Sequence, residues 1–262
     1  MMPVRHVSRR TLKRLFAGTA LAMGMLSATA QVNVQLHYDF GRMMNPHSEK
    51  DRQQVTATLE QFRPDRLGST FYFVDFDFYS KGMKGAYVEF AREFNIRNGL
   101  AAHIEYNGGL TSGHSSEYGS QFQHCLLVGP AYNLASKDFK RTLSLQAMYK
   151  QYFEGQDNKA YPSFQVTGVW GLTFGRDDMF TFSGFVDIWR DRRASDGHIS
   201  LTVCSEPQFW FNLDSLKGVS GTGLSLGTEV EVSNNFIVPA EGHRTFFCNP
   251  TLAVKWTMGN PF

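Results

Sequence analysis

Past residue 30 the hydrophobic positions recur at every second residue and almost nowhere at helical spacing. In residues 32–41, Val32, Val34, Leu36, Tyr38 and Phe40 share one parity, while Asn33, Gln35, His37 and Asp39 share the other. Leu143, Leu145, Ala147 and Tyr149 oppose Thr142, Ser144, Gln146 and Met148 in the same way, and Leu224, Leu226, Val230 and Val232 oppose Ser225, Gly227, Glu229 and Glu231. Successive side chains of a strand point to opposite faces, so each segment presents one apolar and one polar surface. Such segments follow one another between clusters of Gly, Asn, Asp, Ser and Pro. They run over residues 32–41, 53–63, 69–80, 85–96, 99–107, 120–133, 138–151, 163–174, 179–191, 198–212, 223–233 and 248–259. The pattern predicts an all-β chain of about 12 strands in one domain, residues 31–262.

Two architectures share this alternation. A soluble sandwich or barrel hides the apolar face, whereas a transmembrane barrel turns it toward lipid and keeps the polar face in its lumen. The chain ends favour the second. Residues 1–30 carry Arg5, Arg9, Arg10, Lys13 and Arg14 without an acid, then an apolar core over 15–26 and a small-x-small site, Ala28-Thr29-Ala30. They read as a cleaved signal peptide, and the apolar core falls short of the roughly 20 residues a spanning helix needs. At the other end Leu252, Val254, Trp256, Met258 and Phe262 share one parity, with Asn260 the polar exception. A terminal aromatic of this kind predicts recognition by the barrel-assembly machinery. In hydrocarbon an unpaired backbone group is costly, so the sheet must close on itself. The expectation is a closed antiparallel transmembrane β-barrel in the bacterial outer membrane, in contact with outer-membrane lipid. The long polar segments "GRMMNPHSEKDRQ" and "VPAEGHRTFFCN" read as extracellular loops and residues 82–85 as a short periplasmic turn.

Charge refines the picture. The five basic residues of the leader account for the apparent basicity, because 21 bases against 24 acids remain, a net of −3 with His neutral. A nucleic-acid partner would demand a basic stripe, which is missing from the sequence. Cys125, Cys204 and Cys248 are widely spaced and odd in number, so they form neither a zinc framework nor an evident disulfide scaffold.

Parity then sorts the chemistry. In "FYFVDFDFYS" Tyr72, Val74, Phe76 and Phe78 fall on the lipid side, and Phe71, Phe73, Asp75 and Asp77 on the lumen side. The lumen set continues with Glu60, Tyr87, Glu89, Glu93, His103, Glu105, Asp187, Glu229, Glu231 and Lys255. Carboxylates outnumber bases there. Aromatic faces beside carboxylates suit a small polar solute with a ring and hydroxyls, such as a nucleoside, which stacks on the rings and donates to the acids. Arg92 lies on the outer parity, where a long side chain at a strand end reaches the interface.

The blocks "GSTFYFVDFDF", "GAYVEFAREFNI", "HIEYNGG", "GFVDIWR", "EPQFWFN", "GTEVEVSNNF" and "NPTLAVKW" resemble, in order, those of an outer-membrane family of Bacteroides-type bacteria. That family is similar to the nucleoside-specific channel-forming Tsx proteins. The resemblance implies a twelve-stranded barrel and nucleoside passage. Two other readings stand beside it. His198-Ile199-Ser200 or His114-Ser115-Ser116 would set a base beside a hydroxyl on one strand face, as in outer-membrane lipid hydrolases. A barrel closed by its own charged network would transport nothing. His37-x-Asp39 and His103-x-Glu105 fall short of the convergent ligands zinc requires, and Gly221-Thr222-Gly223 opens no helix; no cofactor or metal is implied.

Overall fold

The computed structural model describes residues 31–80, 82–111, 123–155, 159–192 and 198–258. The leader, His114, Ser116 and Phe262 lie outside these residues. Thirteen strand segments form one antiparallel sheet: β1 (Gln31–Asp39), β2 (Val55–Pro64), β3 (Gly68–Tyr79), β4 (Gly82–Arg97), β5 (Leu100–Thr111), β6 (Cys125–Ala135), β7 (Arg141–Tyr152), β8 (Tyr161–Phe174), β9 (Phe180–Arg192), β10 (Ile199–Ser205), β11 (Gln208–Asn212), β12 (Leu224–Asn234) and β13 (Phe246–Met258). One short helix, α1 (Gly41–Met44), follows β1. Consecutive strands pair, except β10 with β11, and β1 pairs with β13 from Val32↔Met258 to Asp39↔Thr251. The sheet is therefore a closed barrel.

Twelve staves, not thirteen, make the wall. β10 and β11 both pair with β9 on one side and β12 on the other, so they are two halves of one stave. The sequence pattern reads this stave as a single strand over 198–212; Glu206-Pro207 interrupts it. Proline has no N–H to give the ladder. Opposite the break, Gly184 takes φ +151°, and a Cβ there would meet the Glu206 carbonyl oxygen at 2.5 Å. At the β4–β5 turn Asn98 (φ 51°) and Gly99 (φ 83°) supply the two positive φ values of a tight hairpin.

The alternation resolves as a transmembrane barrel. On β1 Leu36 is 49% exposed on the outer surface, whereas Gln35 is 2% exposed inside. The same contrast separates Leu145, Leu226 and Val254 on the outside from Gln146, Ser225 and Ala253 within. Among the described residues no helix is long and apolar enough to cross a membrane. The polar lumen has one unexpected feature: Cys125, Leu127, Met148, Tyr152 and Trp189 pack with Cys204 into an apolar cluster inside the wall formed by β6, β7, β9 and β10.

Strand direction fixes which connections share an end. The termini lie with the short turns at 65–67 and 98–99, and the segments 40–54 and 235–245 lie at the far end. The β3–β4 connection also lies at that far end, and residues 82–85 belong to β4, correcting their reading as a periplasmic turn. β3 starts at the terminal end, so it must finish at the other.

A charge introduced on the lipid face near mid-strand has no route to water. Leu145→Arg is expected to lower stability by about 2–4 kcal/mol in equilibrium unfolding from phospholipid vesicles. Gln146→Arg, one residue away but inside, should cost markedly less; equal losses would contradict the assigned faces.

Candidate functional site

The register brings the inward side chains of β2, β3, β4 and β5 into a continuous wall. Thr56 and Thr58 stand opposite Asp77 and Asp75, Glu60 opposite Phe73, and Phe73 in turn opposite Glu89. The threonine hydroxyls donate to the acids, Thr56 Oγ1 to Asp77 at 2.7 Å and Thr58 Oγ1 to Asp75 at 2.5 Å. Phe71, Phe73 and Tyr87 form a file of rings beside them, with centroids 6.0 Å and 5.7 Å apart. These rings and acids are half-buried, so they face a lumen that water reaches.

Toward the terminal end, His103 lies between two carboxylates, with Nδ1 3.1 Å from Glu93 and Nε2 2.9 Å from Glu105. Asn133 donates to the second oxygen of Glu93 at 2.6 Å. These acids are partnered within the wall. Across the lumen Asp187 accepts the Thr167 hydroxyl at 2.5 Å, and Glu229 accepts the Gln208 amide at 2.6 Å. Gln208 in turn accepts the indole N–H of Trp210 at 2.9 Å. Lys255 sits over the Trp210 ring at 4.2 Å, a cation–π contact inside the barrel. Gly227 leaves the space for that ring, since a Cβ would approach it to 2.5 Å. Thus the acids, rings and imidazole singled out from the sequence face inward, but on opposite walls rather than in one cluster.

The far mouth holds a group that parity could not reveal. The chain after β1 turns through α1, and Arg52 folds back inward. Its guanidinium contacts Asp39 of β1 at 2.9 Å, Glu49 at 3.3 Å and Glu231 of β12 at 2.9 Å. Asn45 and Asn249 donate to Glu49 at 2.7 Å and 2.8 Å. Burial opposes the charge of Arg52, but Glu231 and Asp39 outweigh it and hold the guanidinium above its ordinary range. Burial pushes the Glu49 carboxyl up, against the pull of Arg52 and the two asparagines. The segment 235–245 closes over the same mouth: Lys50 binds Glu241 at 3.0 Å and Arg244 binds Asn45 at 2.6 Å.

Two further sequence candidates resolve differently. Arg92 stays on the outer face and pairs with Asp65 at the 65–67 turn, 2.6 Å away. That hydrogen bond, aided by the Leu67 backbone N–H, holds the Asp65 carboxyl well below the usual range. Ser200 has a buried hydroxyl oxygen with no hydrogen-bond partner among the described residues, so no hydrogen bond joins it to His198.

Arg52 meets three acids at the mouth, and removing one partner of a buried ion pair leaves uncompensated charge. Arg52→Met is expected to lower stability by about 3 kcal/mol. Adding Glu49→Gln should recover part of that loss in thermal unfolding; a purely additive double variant would contradict the network.

Solved structures share the architecture. A NanC porin matches with a TM-score of 0.52 at 9% identity, over 86% of this chain and 97% of the other. A KdgM porin matches at 0.46 with 10% identity, over 86% and 98% of the respective chains. LpxR from Salmonella typhimurium matches at 0.44 with 8% identity, over 86% and 99%. With its apolar exterior, charged interior and closed sheet, this chain has the fold and location of an outer-membrane barrel. No curated protein matches it in sequence. Residues 30–258 match the family described as a domain of unknown function, DUF5020, and the chain belongs to that family.

Proposed function

We propose that this barrel is an outer-membrane channel for small polar solutes, with nucleosides the specific candidates. The observation that carries the reading is the file Phe71–Phe73–Tyr87 beside Asp75, Asp77 and Glu89 on a water-reached wall. A base stacks on such rings for about 1–3 kcal/mol. The ribose hydroxyls donate to the carboxylates, and the absence of phosphate from a nucleoside avoids repulsion by the acids. The NanC porin, which shares the fold, is consistent with a channel.

A transport-silent barrel is the second reading. It is favoured by the apolar cluster around Leu127 and Trp189 and by the Arg52 network over the mouth, both of which fill space inside the wall.

Planar-bilayer recordings separate the two. The channel reading expects discrete conductance steps reduced by adenosine or uridine, with the inhibition weakened about tenfold in Phe73→Ala and also reduced in Asp75→Ala. A silent bilayer supports the second reading, and a nucleoside effect untouched by either substitution removes the proposed wall.

A further inference from the structure

The cover at the far mouth has two halves that are held very differently. Residues 40–54 are built into the wall: Gln54 donates its backbone N–H to Phe78 of β3 at 2.9 Å, the Asp51 carbonyl accepts from Lys84 of β4 at 2.9 Å, and Arg52 reaches Glu231 of β12 at 2.9 Å. The anchoring side chains are out of water, Glu49 at 1% exposure and Arg52 at 9%. Residues 235–245 are held instead through exposed groups. Their ion pair joins Lys50, 50% exposed, to Glu241, 59% exposed. Arg244 binds Asn45 from an exposed position, and the Ser48 hydroxyl donates to the Glu241 carbonyl at 3.4 Å. Among the described residues one backbone hydrogen bond, from Ala240 N–H to Ser48 at 2.8 Å, ties this half to the other. Exposed ion pairs contribute little, so the second half is held weakly where the first is held firmly.

The tip of the weakly held half is apolar. Phe236-Ile237-Val238-Pro239 interrupts an otherwise polar connection. The Phe236 ring meets the Trp189 indole of β9 edge-on, with centroids 5.8 Å apart. Trp189 belongs to the apolar cluster inside the wall, so a connection that springs from β12 and β13 sets a ring against the lumen side of β9. Phe236 nevertheless stays 43% exposed, docked on the cluster without being absorbed by it. Asn235 and Gly242, at the two ends of the tip, hold left-handed backbone with φ 59° and 84°. A Cβ at Gly242 would meet nothing within 4 Å, and the Asn235 N–H bond to Thr245 at 2.9 Å closes the base of the loop.

We propose that residues 235–245 are a gate on the far mouth: docked on Trp189 through Phe236 they obstruct the lumen, and swung away about Asn235 and Gly242 they admit solute. Residues 40–54 are the fixed frame against which the gate closes. This rests on the channel reading above. Closure is favoured by removing the Phe236 ring from water and by its edge contact with the indole, and the Lys50–Glu241 pair clasps the loop to the frame. None of these contacts belongs to the barrel ladder, so they break and remake without disturbing the wall.

Planar-bilayer recording of the full barrel tests the gate through the fraction of time spent open, with heat-modifiable gel mobility confirming that each variant is folded. Phe236→Ala removes the docking ring and is expected to raise the open fraction about fivefold. Glu241→Lys sets two ammonium groups together and should raise it about threefold, and adding Lys50→Glu should restore the wild-type value. Ser48→Cys with Ala240→Cys, joined by oxidation, should hold the channel shut until reductant is added. A wild type that never closes, or an open fraction that these changes leave unmoved, would overturn the gate and keep the channel. Labelling of Cys125, in the cluster beneath Phe236, by a charged maleimide needs no current and is read by peptide mass. In a barrel that stays silent throughout, faster labelling in Phe236→Ala and slower labelling in the oxidised pair would keep the moving segment and overturn passage. Unchanged labelling in such a barrel would overturn both.

Discussion

Every peptide N–H and C=O that enters hydrocarbon must find its partner inside the protein. The β1–β13 pairing meets that demand, because it turns a sheet with two open edges into a wall with none. Closure also fixes the sense of the alternation. Once no edge remains, the apolar parity must meet lipid and the other parity must enclose the lumen. The charged interior follows from the backbone's requirement, and the inward chemistry is what a hydrogen-bonded cylinder leaves room for.

That interior is not a uniform aqueous pore. On one side Cys125, Leu127, Met148, Tyr152, Trp189 and Cys204 pack as a small core, with Lys150 lying against two of its rings. On the opposite side rings and carboxylates stand half-exposed. Several inward acids are satisfied by a threonine, a histidine or an amide on a neighbouring stave, so the wall is braced by bonds that run around the barrel. Ligand chemistry is left to those acceptors which this bracing does not consume.

The face of each side chain was legible in the sequence wherever parity ran unbroken, as it does from Val32 to Asp39 or through Phe73, Asp75 and Asp77. Two-residue periodicity is a property of the strand itself and needs no tertiary knowledge. Legibility failed where the chain left that period. Pro207 is not such a place, because it interrupts the ladder of one stave without shifting its register; Trp210 therefore shares the inward parity of Gln208 and was within reach of the same rule. Arg52 and Glu49 lie in a connection, and nothing local signals that they turn inward to meet Glu231, 179 positions from Arg52. Partners were likewise illegible, because alternation tells which residues face the lumen and leaves open which of them meet across it.

The Arg52 network also joins the two ends of the chain. Asp39, Asn45, Glu49 and Arg52 belong to the first stave and its loop, whereas Glu231, Arg244 and Asn249 belong to the last two staves and the loop between them. Contacts so distant in sequence form only after the intervening chain has been laid down. The mouth therefore acquires its cover in the same event that seals the seam between β1 and β13. Until the last strand arrives, the barrel is both laterally open and uncapped. The stitched mouth thus records completed assembly: a chain arrested before its final hairpin lacks the carboxylate and amide partners that hold Arg52 inside.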